Sequence, residues 1–380
     1  MGDLQEWVAA NWDPEMPLAA WRSLLADSPW AFAGAELAAA GVPGPPDGVG
    51  VALVIPVLRE HGSEELQQRY IRPTLTGEIT WCQLFSEPGA GSDLAGLTTT
   101  AVLVSTGADG DQWRVTGQKV WSTGAKTADF GLLLARTDWD VPKHRGITAF
   151  VLPMRQPGVD VRPLRQMNGH SSFNEVFFDG AVTHDVIGEL GGGWTVALTT
   201  LAHERRLASF RTPEDATGRA WREAIEERIA VSEPHKWYPQ RAGRPELVIP
   251  QARAAGLDSD PVVRQAIARL TGMTMSARWT AERLRAAGVG PAGSIGKLAS
   301  TDIARQSARI HGSISGANGL LAGPDAPVDG TIAEILVSVP GISIAGGTDE
   351  IQHTIIGERM LGLPREPDAS KELPFRQVPR

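Results

Sequence analysis

The sequence is poor in cysteine, in positive charge and in long apolar runs, and each shortage excludes a class of protein. Cys82 is the one cysteine among 380 residues, so the chain cannot form an internal disulfide and a reducing cytosol is the expected compartment. A net charge of −8 provides no basic field for nucleic acid. No stretch approaches the roughly 18 uncharged apolar residues of a membrane span, and no secretory leader is visible. These shortages predict a cytoplasmic globular protein with no nucleic-acid partner and no membrane span.

Two common kinds of ligand motif are also missing from the sequence. It contains no G-x-x-x-x-G-K-[ST] phosphate loop and no G-x-G-x-x-G that opens a βαβ unit. The His203-Glu204 pair lacks a second histidine at metalloprotease spacing, and the eight histidines form no cluster with Cys82. A Walker site, a Rossmann site and a bound metal are therefore not expected.

The spacing of apolar residues changes twice along the chain. Residues 1–80 have helical spacing of apolar residues, interrupted by a Pro/Gly-rich stretch. In residues 81–187, short runs rich in Val, Leu, Phe and Trp are divided by Gly, Asp and Pro, which is typical of an antiparallel barrel or sandwich. Helical periodicity returns in residues 188–363, and a proline-rich tail, 364–380, is expected to be extended. We predict an α+β multidomain chain with these segments as an N-terminal helical domain, a middle β domain, a C-terminal helical domain and a tail.

Several polar blocks in this framework point to a ligand site. The blocks are LFSEPGAGSD at 84–93, GQKVWSTGA at 117–125, RPLRQMNG at 162–169, FNEVFFDG at 173–180 and GGTDEIQ at 346–352. In the first block, backbone amides and the Ser86 and Ser92 hydroxyls could bind phosphate or ring carbonyl groups. In the second, the Trp121 indole could cover an aromatic ring, and strand alternation puts Thr123 on the same face. A plain turn and a core tryptophan are the alternative interpretations.

In this order the blocks resemble the acyl-CoA dehydrogenase flavoprotein family, over roughly residues 50–210 and 295–363. The resemblance implies a middle β-barrel, a C-terminal four-helix bundle and FAD as the cofactor. It also implies an oxidoreductase of lipid metabolism that acts on an acyl-CoA or a related acyl thioester. A homo-oligomer or heterotetramer is expected, with an electron-transfer flavoprotein as the electron acceptor.

The resemblance further implies which residues hold the flavin. Trp121 would pack on the isoalloxazine and Thr123 would hydrogen-bond its N5. Glu350 is the weakest match, because glutamine is common at its position and an acid near a pyrophosphate is repulsive. The positions that match the family's flavin contacts are Leu84, Phe85, Ser86, Gly91, Ser92, Trp121, Ser122, Thr123, Gly316, Ala317, Thr348 and Glu350.

The catalytic base expected for this family is missing from its commonest position. The reaction needs a carboxylate to remove the α-proton. In many members it is a glutamate immediately before a G-T pair, where this sequence has Gly346. Another acid, Glu204, lies on a helical stripe whose other members are small and apolar. Burial there would raise its carboxyl pKa toward neutrality, which suits a base. The stripe consists of Ala197, Leu201, Glu204 and Ala208.

Isovaleryl-CoA and long-chain dehydrogenases resemble this chain in the placement of the base. They also carry glycine before the G-T pair, and their E-R pair aligns with Glu204 and Arg205. The resemblance implies that Glu204 is the base and that Arg205 positions the substrate. A packing ion pair is the alternative role for both residues.

The C-terminal block predicts a change of local structure. Residues 342–345 form a β-like run that meets two glycines, and a helix capped by Thr348 is expected to follow, to about Leu361.

Two departures from the family pattern leave alternatives open. An R-x-x-F-G segment that contacts a neighbour's flavin is not recognisable, and residues 211–260 are long, polar and suggest an insertion. One alternative is a flavin-poor or noncatalytic subunit of a heteromeric acyl-CoA dehydrogenase. Another is an acyl-CoA oxidase or flavin monooxygenase on the same scaffold.

Overall fold

The computed structural model describes most of the chain, and the statements on structure concern its described residues. These are 2–107, 110–204, 216–288 and 292–379. They form two compact units. Unit 1 contains the described residues of 1–165, 171–233 and 368–380, and unit 2 contains those of 166–170 and 234–367. The domain boundaries drawn from the sequence stay a prediction.

The first part of unit 1 is helical, as the sequence predicted. The helices of unit 1 are α1 (Gly2–Asn11), α2 (Leu18–Ala26), α3 (Gly34–Ala39), α4 (Ile55–His61), α5 (Glu64–Thr76), α6 (Gly193–Glu204) and α7 (Arg219–Ser232). Both ends of α5 are capped: the Ser63 hydroxyl accepts a hydrogen bond from the Leu66 amide at 3.3 Å, and Gly77 ends the helix at a φ of 84°. Trp21 is fully buried in the core of α1, α2 and α7.

One eight-stranded sheet forms the middle of unit 1. Its strands are β1 (Trp81–Leu84), β2 (Thr100–Ser105), β3 (Gln112–Thr123), β4 (Phe130–Arg136), β5 (Ile147–Pro153), β6 (Val159–Leu164), β7 (Phe173–Thr183) and β8 (Asp185–Ile187). The order is β6-β7-β3-β2-β4-β5-β8, with β1 beside β4. Pairing is mainly antiparallel, and the structure adds parallel pairings of β4 with β1 and with β2. No strand was predicted at β8, which is three residues long, or at β6, whose apolar alternation is confined to Val159 and Val161.

The core of unit 1 surrounds β4 and β5. Both strands are continuous apolar runs that are buried on both faces. Leu132 and Leu134 join a cluster with residues of α4 and α6, whereas Leu133 and Phe150 join one with residues of β3 and β7. Successive side chains of β4 therefore pack alternately against the helices and against the other strands of the sheet.

Cys82 lies in the second of these clusters. Its side chain is fully buried, and burial raises the pKa of the thiol to about 12. The thiol is therefore protonated and shielded in the folded protein.

Unit 2 is helical, and its helices are α8 (Tyr238–Arg241), α9 (Val248–Ala254), α10 (Pro261–Ala287), α11 (Ala292–Ser315), α12 (Thr331–Ser338) and α13 (Asp349–Arg359). Asp260 caps α10 by accepting hydrogen bonds from the Val262 and Val263 amides. The expected helix after Thr348 is confirmed as α13. The predicted β-like run at 342–345 is wrong, because a 3-10 helix spans Val339–Ser343 instead. This short apolar run follows a proline and does not pair in the sheet.

The C-terminal tail is not simply extended. A 3-10 turn, Phe375–Gln377, interrupts it, and the Phe375 side chain is 4% exposed. This burial was not predictable, because the tail has no apolar periodicity.

Among the described residues, no helix combines the length and the apolar character of a bilayer span. Within the same residues, no group of three His, Cys, Asp or Glu side chains is arranged to hold a metal ion.

Candidate functional site

A distortion in β3 sets the position of the Trp121 side chain. The pairing of β3 with β7 shifts register between Lys119 and Ser122. Trp121 lies in this bulge at a φ of 62°, which bulky residues rarely adopt. Its indole is 56% exposed and meets the Phe173 ring edge to face, with 5.6 Å between the centroids. The bulge thus presents an aromatic plane to solvent.

The bulge also changes the expected relation of Trp121 to Thr123. Regular alternation would put both side chains on one face, but the left-handed backbone at Trp121 interrupts it. Thr123 is half-buried. Ser122 is 1% exposed, and its hydroxyl finds no hydrogen-bond partner among the described residues. A buried hydroxyl in this state is costly unless a ligand, a water or a small movement satisfies it.

The two predicted flavin segments of unit 1 lie side by side. The Val120 amide donates a hydrogen bond to the Ser86 carbonyl at 2.9 Å. The Lys119 ammonium donates to the Phe85 carbonyl, also at 2.9 Å. The structure therefore brings the turn that follows β1 to the bulge in β3, while the flavin contacts of both segments stay a prediction.

A buried ion pair holds this junction together. Lys119 Nζ lies 2.9 Å from Glu87 Oε1, and the two side chains are 0% and 5% exposed. Glu87 also accepts hydrogen bonds from the amide and hydroxyl of Thr98, at 2.7 and 2.8 Å, and from the Thr99 amide at 2.8 Å. One carboxylate thereby fastens both ends of the turn at residues 88–97 to β3.

The surroundings keep both members of the pair charged at neutral pH. Burial alone would raise the pKa of Glu87, but the Lys119 ammonium and the donated hydrogen bonds outweigh it and lower the pKa to about 2. Burial lowers the pKa of Lys119 to about 8, and the Glu87 carboxylate limits that fall. The lowered pKa of Glu87 means that the folded protein stabilises its charged form, whereas the lowered pKa of Lys119 reflects the cost of removing its charge from water. Because Glu87 also accepts hydrogen bonds from Thr98 and Thr99, the pair as a whole stabilises the junction.

The other members of the first predicted segment differ in accessibility. Leu84 is fully buried and pairs with Leu133 of β4, so it supports the site through packing. Phe85 is also buried, whereas Ser86 is half-buried. Gly91 and Ser92 are exposed. Part of this segment is therefore support, and part is open to a ligand.

Glu204 is the last described residue of α6. In its predicted stripe, Ala197 is fully buried and Leu201 packs on the core of unit 1, while Glu204 is half-buried, as are its neighbours Ala202 and His203. Arg205 and Ala208 lie outside the described residues. The role of Glu204 as base and that of Arg205 in positioning the substrate stay predictions.

The glycines before α13 leave open space on one side. Thr348 caps the helix by accepting a hydrogen bond from the Ile351 amide at 3.2 Å. Gly346 and Gly347 have φ values of 68° and 89°. A Cβ at Gly346 would meet nothing within 4 Å, while one at Gly347 would lie 2.6 Å from the Gln352 side-chain nitrogen. The positive φ favours glycine at both positions, and within unit 2 a side chain at 347 would also have to displace the Gln352 amide, whereas position 346 is uncrowded.

The first turn of α13 carries two acids in different surroundings. Asp349 accepts hydrogen bonds from Lys297 at 2.7 Å and Thr301 at 3.1 Å, and it lies 3.2 Å from Arg305. Burial would raise the pKa of Asp349, but these groups outweigh it and lower the pKa. Glu350 is exposed, and hydrogen bonds from its own amide and a neighbouring hydroxyl lower its pKa. Glu350 thus stays a charged neighbour for any anion at this helix end.

Gly316 and Ala317 stand apart from Thr348 and Glu350 within unit 2. Both are exposed in a 3-10 turn after the C-terminal end of α11. The α11 residue that binds Asp349 is Thr301, which precedes Gly316 by about 22 Å of helix length. Unit 2 therefore keeps these two predicted contacts apart, and the role of Gly316 and Ala317 at a flavin stays a prediction.

Comparisons with known proteins decide the family. Residues 82–181 match the family model described as acyl-CoA dehydrogenase, middle domain, and residues 251–361 match the one described as acyl-CoA dehydrogenase, C-terminal domain. Acyl-CoA dehydrogenase IpdE1 of Mycolicibacterium smegmatis is 34% identical over 342 residues, which cover 87% of this chain and 79% of that protein. The chain belongs to the acyl-CoA dehydrogenase family. Its members are FAD-dependent oxidoreductases, so the predicted family, fold class, enzyme class and FAD cofactor are confirmed.

Two further relatives are similar over most of this chain. Acyl-CoA dehydrogenase FadE34 of Mycobacterium tuberculosis is 38% identical over 332 residues, which are 87% of this chain but 42% of FadE34, so the chain spans less than half of that relative. A solved structure described as Tcur3481-Tcur3483 steroid ACAD superposes with a TM-score of 0.67 at 26% identity, covering 96% of this chain and 93% of that one.

The geometry of unit 1 fits the flavin of an acyl-CoA dehydrogenase. The exposed indole of Trp121 offers a plane for an aromatic ring. Ser86 and Thr123 are accessible enough to offer hydroxyls, and the unsatisfied Ser122 hydroxyl lies between the indole and Thr123 in the sequence. The two segments that carry these groups lie side by side, held together by the Lys119–Glu87 pair and the Val120–Ser86 backbone hydrogen bond.

Sequence reasoning missed the Lys119–Glu87 pair. Both residues stand inside the polar blocks, but neither was singled out, because a lysine and a glutamate 32 positions apart carry no local pattern. A signal was available: Lys119 falls at an inward position of β3.

Proposed function

We propose that the chain catalyses the FAD-dependent α,β-dehydrogenation of an acyl-CoA or a related acyl thioester. Family membership supports the reaction class. The observation that carries the proposal for this chain is the junction in unit 1, where an exposed Trp121 and the turn after β1 are locked side by side by a buried ion pair. Backbone strain at a bulky residue is commonly retained at functional sites, which supports a ligand at Trp121.

In this proposal Glu204 is the base. The α C–H bond of the thioester breaks and its proton passes to the Glu204 carboxylate, while the β C–H bond breaks with loss of hydride and a carbon–carbon double bond forms. Bound FAD supplies the acceptor for that hydride. The position of Glu204 on α6 supports this role, because the side chain is half-buried and lies three residues after Leu201, which packs on the core of unit 1.

The proposed substrate class includes bulky thioesters. The superposed structure at 26% identity is described as a steroid ACAD, so a steroid CoA thioester belongs with the linear acyl-CoAs among the candidates. An acyl-carrier-protein thioester shares the same reactive group. Transfer of the electrons onward to an electron-transfer flavoprotein is part of the same proposal.

Anaerobic mixing tests the reaction. The purified, FAD-loaded chain is mixed with short, medium and long acyl-CoAs and with a steroid CoA thioester, and the visible flavin band is followed. Bleaching by at least one thioester, with the matching enoyl product, is the expected result. A flavin-loaded chain that no thioester reduces would contradict the proposal. Oxygen uptake with hydrogen peroxide formation during turnover in air would instead favour an oxidase.

A second candidate is a subunit of a heteromeric acyl-CoA dehydrogenase that shares its flavin sites with a different chain. The name of the superposed structure, Tcur3481-Tcur3483, joins two gene products, which favours this candidate. Flavin content separates the two: about one FAD per chain in the protein expressed alone supports a self-sufficient enzyme. Flavin that appears after co-expression with a second family member supports the heteromer.

A further inference from the structure

The C-terminal tail returns to unit 1 and packs on the connection between β4 and β5. The Phe375 amide donates a hydrogen bond to the Val141 carbonyl at 2.9 Å, and the Arg376 amide donates to the Trp139 carbonyl at 3.1 Å. Arg376 also forms an ion pair with Asp140. These contacts hold the buried Phe375 ring in one place.

The Phe375 ring covers a buried guanidinium. The Cζ atom of Arg136 lies 3.6 Å from the ring centroid, and Arg136 is fully buried at the end of β4. The Trp139 ring lies on the same side chain, with 5.5 Å from Cζ to its centroid. A cation–π contact is strongest when it is shielded from water, as it is here.

Arg136 in turn holds the turn that contains the predicted flavin contacts. Its guanidinium donates hydrogen bonds to the Ala95 carbonyl at 2.7 Å and the Leu97 carbonyl at 3.1 Å. It also donates to the Lys143 carbonyl at 3.0 Å, and the Lys143 ammonium lies 2.8 Å from Asp93. Asp93 directly follows Gly91 and Ser92 in the sequence. Three fixed points thus connect residues 93–97 to Arg136 and its neighbours.

We infer that Phe375 and Arg136 are positioning residues for the flavin. Phe375 immobilises the Arg136 guanidinium, and Arg136 fixes the turn at residues 91–97 in the conformation that FAD binds. Glu87 holds the two ends of the same turn, so the turn is anchored on both sides. The inference rests on the proposed function for the identity of the ligand, but the ordering of the turn is a property of the chain itself.

Two variants of the full-length protein test the inference. Phe375→Leu keeps an apolar side chain but removes the ring, and Phe375→Ala removes both. In the flavin-free protein, amide hydrogen exchange in a peptide covering residues 91–97 should accelerate by roughly tenfold in Phe375→Ala and less in Phe375→Leu. Titration of the same proteins with FAD should show a dissociation constant raised about five- to tenfold.

A matched control uses another arginine–phenylalanine stack in unit 1. The Arg59 guanidinium lies 4.3 Å from the Phe32 ring centroid. Phe32→Leu should therefore leave both the exchange of residues 91–97 and the FAD affinity as in the wild type. Faster exchange that spreads equally to α1 and α2 in the Phe375 variants would indicate general destabilisation and overturn the inference.

The remaining outcomes are also decisive. Unchanged exchange at residues 91–97 in both Phe375 variants would overturn the inference. Faster exchange with unchanged FAD affinity would do so as well, because the turn would then be ordered for another purpose. A wild-type chain that binds no FAD would contradict the proposed function instead, while its exchange data would still show whether the tail orders the turn.

Discussion

Two glutamates of unit 1 illustrate how surroundings assign different roles to the same side chain. Glu87 is surrounded by donors, so its carboxylate is locked in the ionised form and is suited to holding structure. Glu204 is half-buried on α6, three residues after Leu201 of the core cluster, and we propose that its carboxylate exchanges a proton. Single substitutions should separate these roles.

Glu204→Gln should retain FAD and lose flavin reduction. The amide keeps the shape of the side chain but cannot accept the α-proton, so reduction by the best acyl-CoA should slow by about 10³-fold or more. Stopped-flow absorbance under anaerobic conditions measures the rate. Glu226→Gln, in the helix α7, is the control and should reduce at the wild-type rate. Substantial residual reduction in Glu204→Gln would place the base elsewhere.

Glu87→Gln should destabilise unit 1. The change leaves the Lys119 ammonium buried without its carboxylate, and breaking such a pair costs about 3–5 kcal/mol. Urea unfolding with and without FAD measures the loss. Asp160→Asn breaks an exposed ion pair with Arg162 and should leave the unfolding free energy near that of the wild type. Equal effects of the two substitutions would mean that the buried pair is not a structural anchor.

The low pKa of Glu87 predicts where acid weakens the fold. Because the folded pKa, about 2, lies below the ordinary value of 4.5, the carboxylate stabilises the protein fully above pH 4.5. That contribution is lost as the pH falls from 4.5 through 2. The free energy of unfolding, measured against pH, should therefore fall more steeply in this window for the wild type than for Glu87→Gln. Parallel curves would contradict the shift.

At the scale of elements, strand β3 presents Trp121 because the strand is held close to Thr99 at one point and bulges at another. Gly117 sits where this strand passes Thr99, five residues after the strand begins. A Cβ at Gly117 would lie 2.5 Å from the Thr99 hydroxyl oxygen and 2.7 Å from its Cα, at a φ of 148°. Close approach of two backbone segments thus requires glycine at this position.

Gly117→Ala should consequently cost more than an alanine placed at another positive φ. Gly41 has a φ of 75°, and a Cβ there would meet nothing within 4 Å, so Gly41→Ala carries the backbone strain alone. Overpacking against Thr99 should add about 1–3 kcal/mol for Gly117→Ala. Chemical denaturation of both variants measures the difference. A Gly117→Ala protein no less stable than Gly41→Ala would show that β3 can move away from Thr99.

The elements differ in how well the sequence predicts them. Strands β4 and β5 were predictable because short, continuous apolar runs between turn residues are typical of strands that are buried on both faces. The helix α13 was predictable from its Thr348 cap. The β3 bulge was not, since the left-handed backbone at Trp121 results from pairing with β7, which alternation cannot reveal. The anchoring of the tail was missed for the same reason: Phe375 and Arg136 meet only after the chain has folded.

At the scale of the whole molecule, FAD and the fold should stabilise each other. A ligand that binds the folded chain and not the unfolded chain raises the unfolding free energy by an amount that grows with the ratio of its concentration to its dissociation constant. Unit 1 contains the junction of Trp121 with the turn after β1. Flavin bound there should therefore protect the strands that surround it.

The buried thiol of Cys82 offers a way to measure how much bound FAD stabilises unit 1. With one cysteine in the chain, a thiol-reactive dye has a single target, and the target lies in β1 at 0% exposure. The dye should label the native protein slowly, at a rate set by the opening of the sheet, and added FAD should slow it further. Labelling as fast as in denaturant would contradict the burial of β1. The chain thus contains its own reporter, through which the occupancy of a flavin site can be read without measuring turnover.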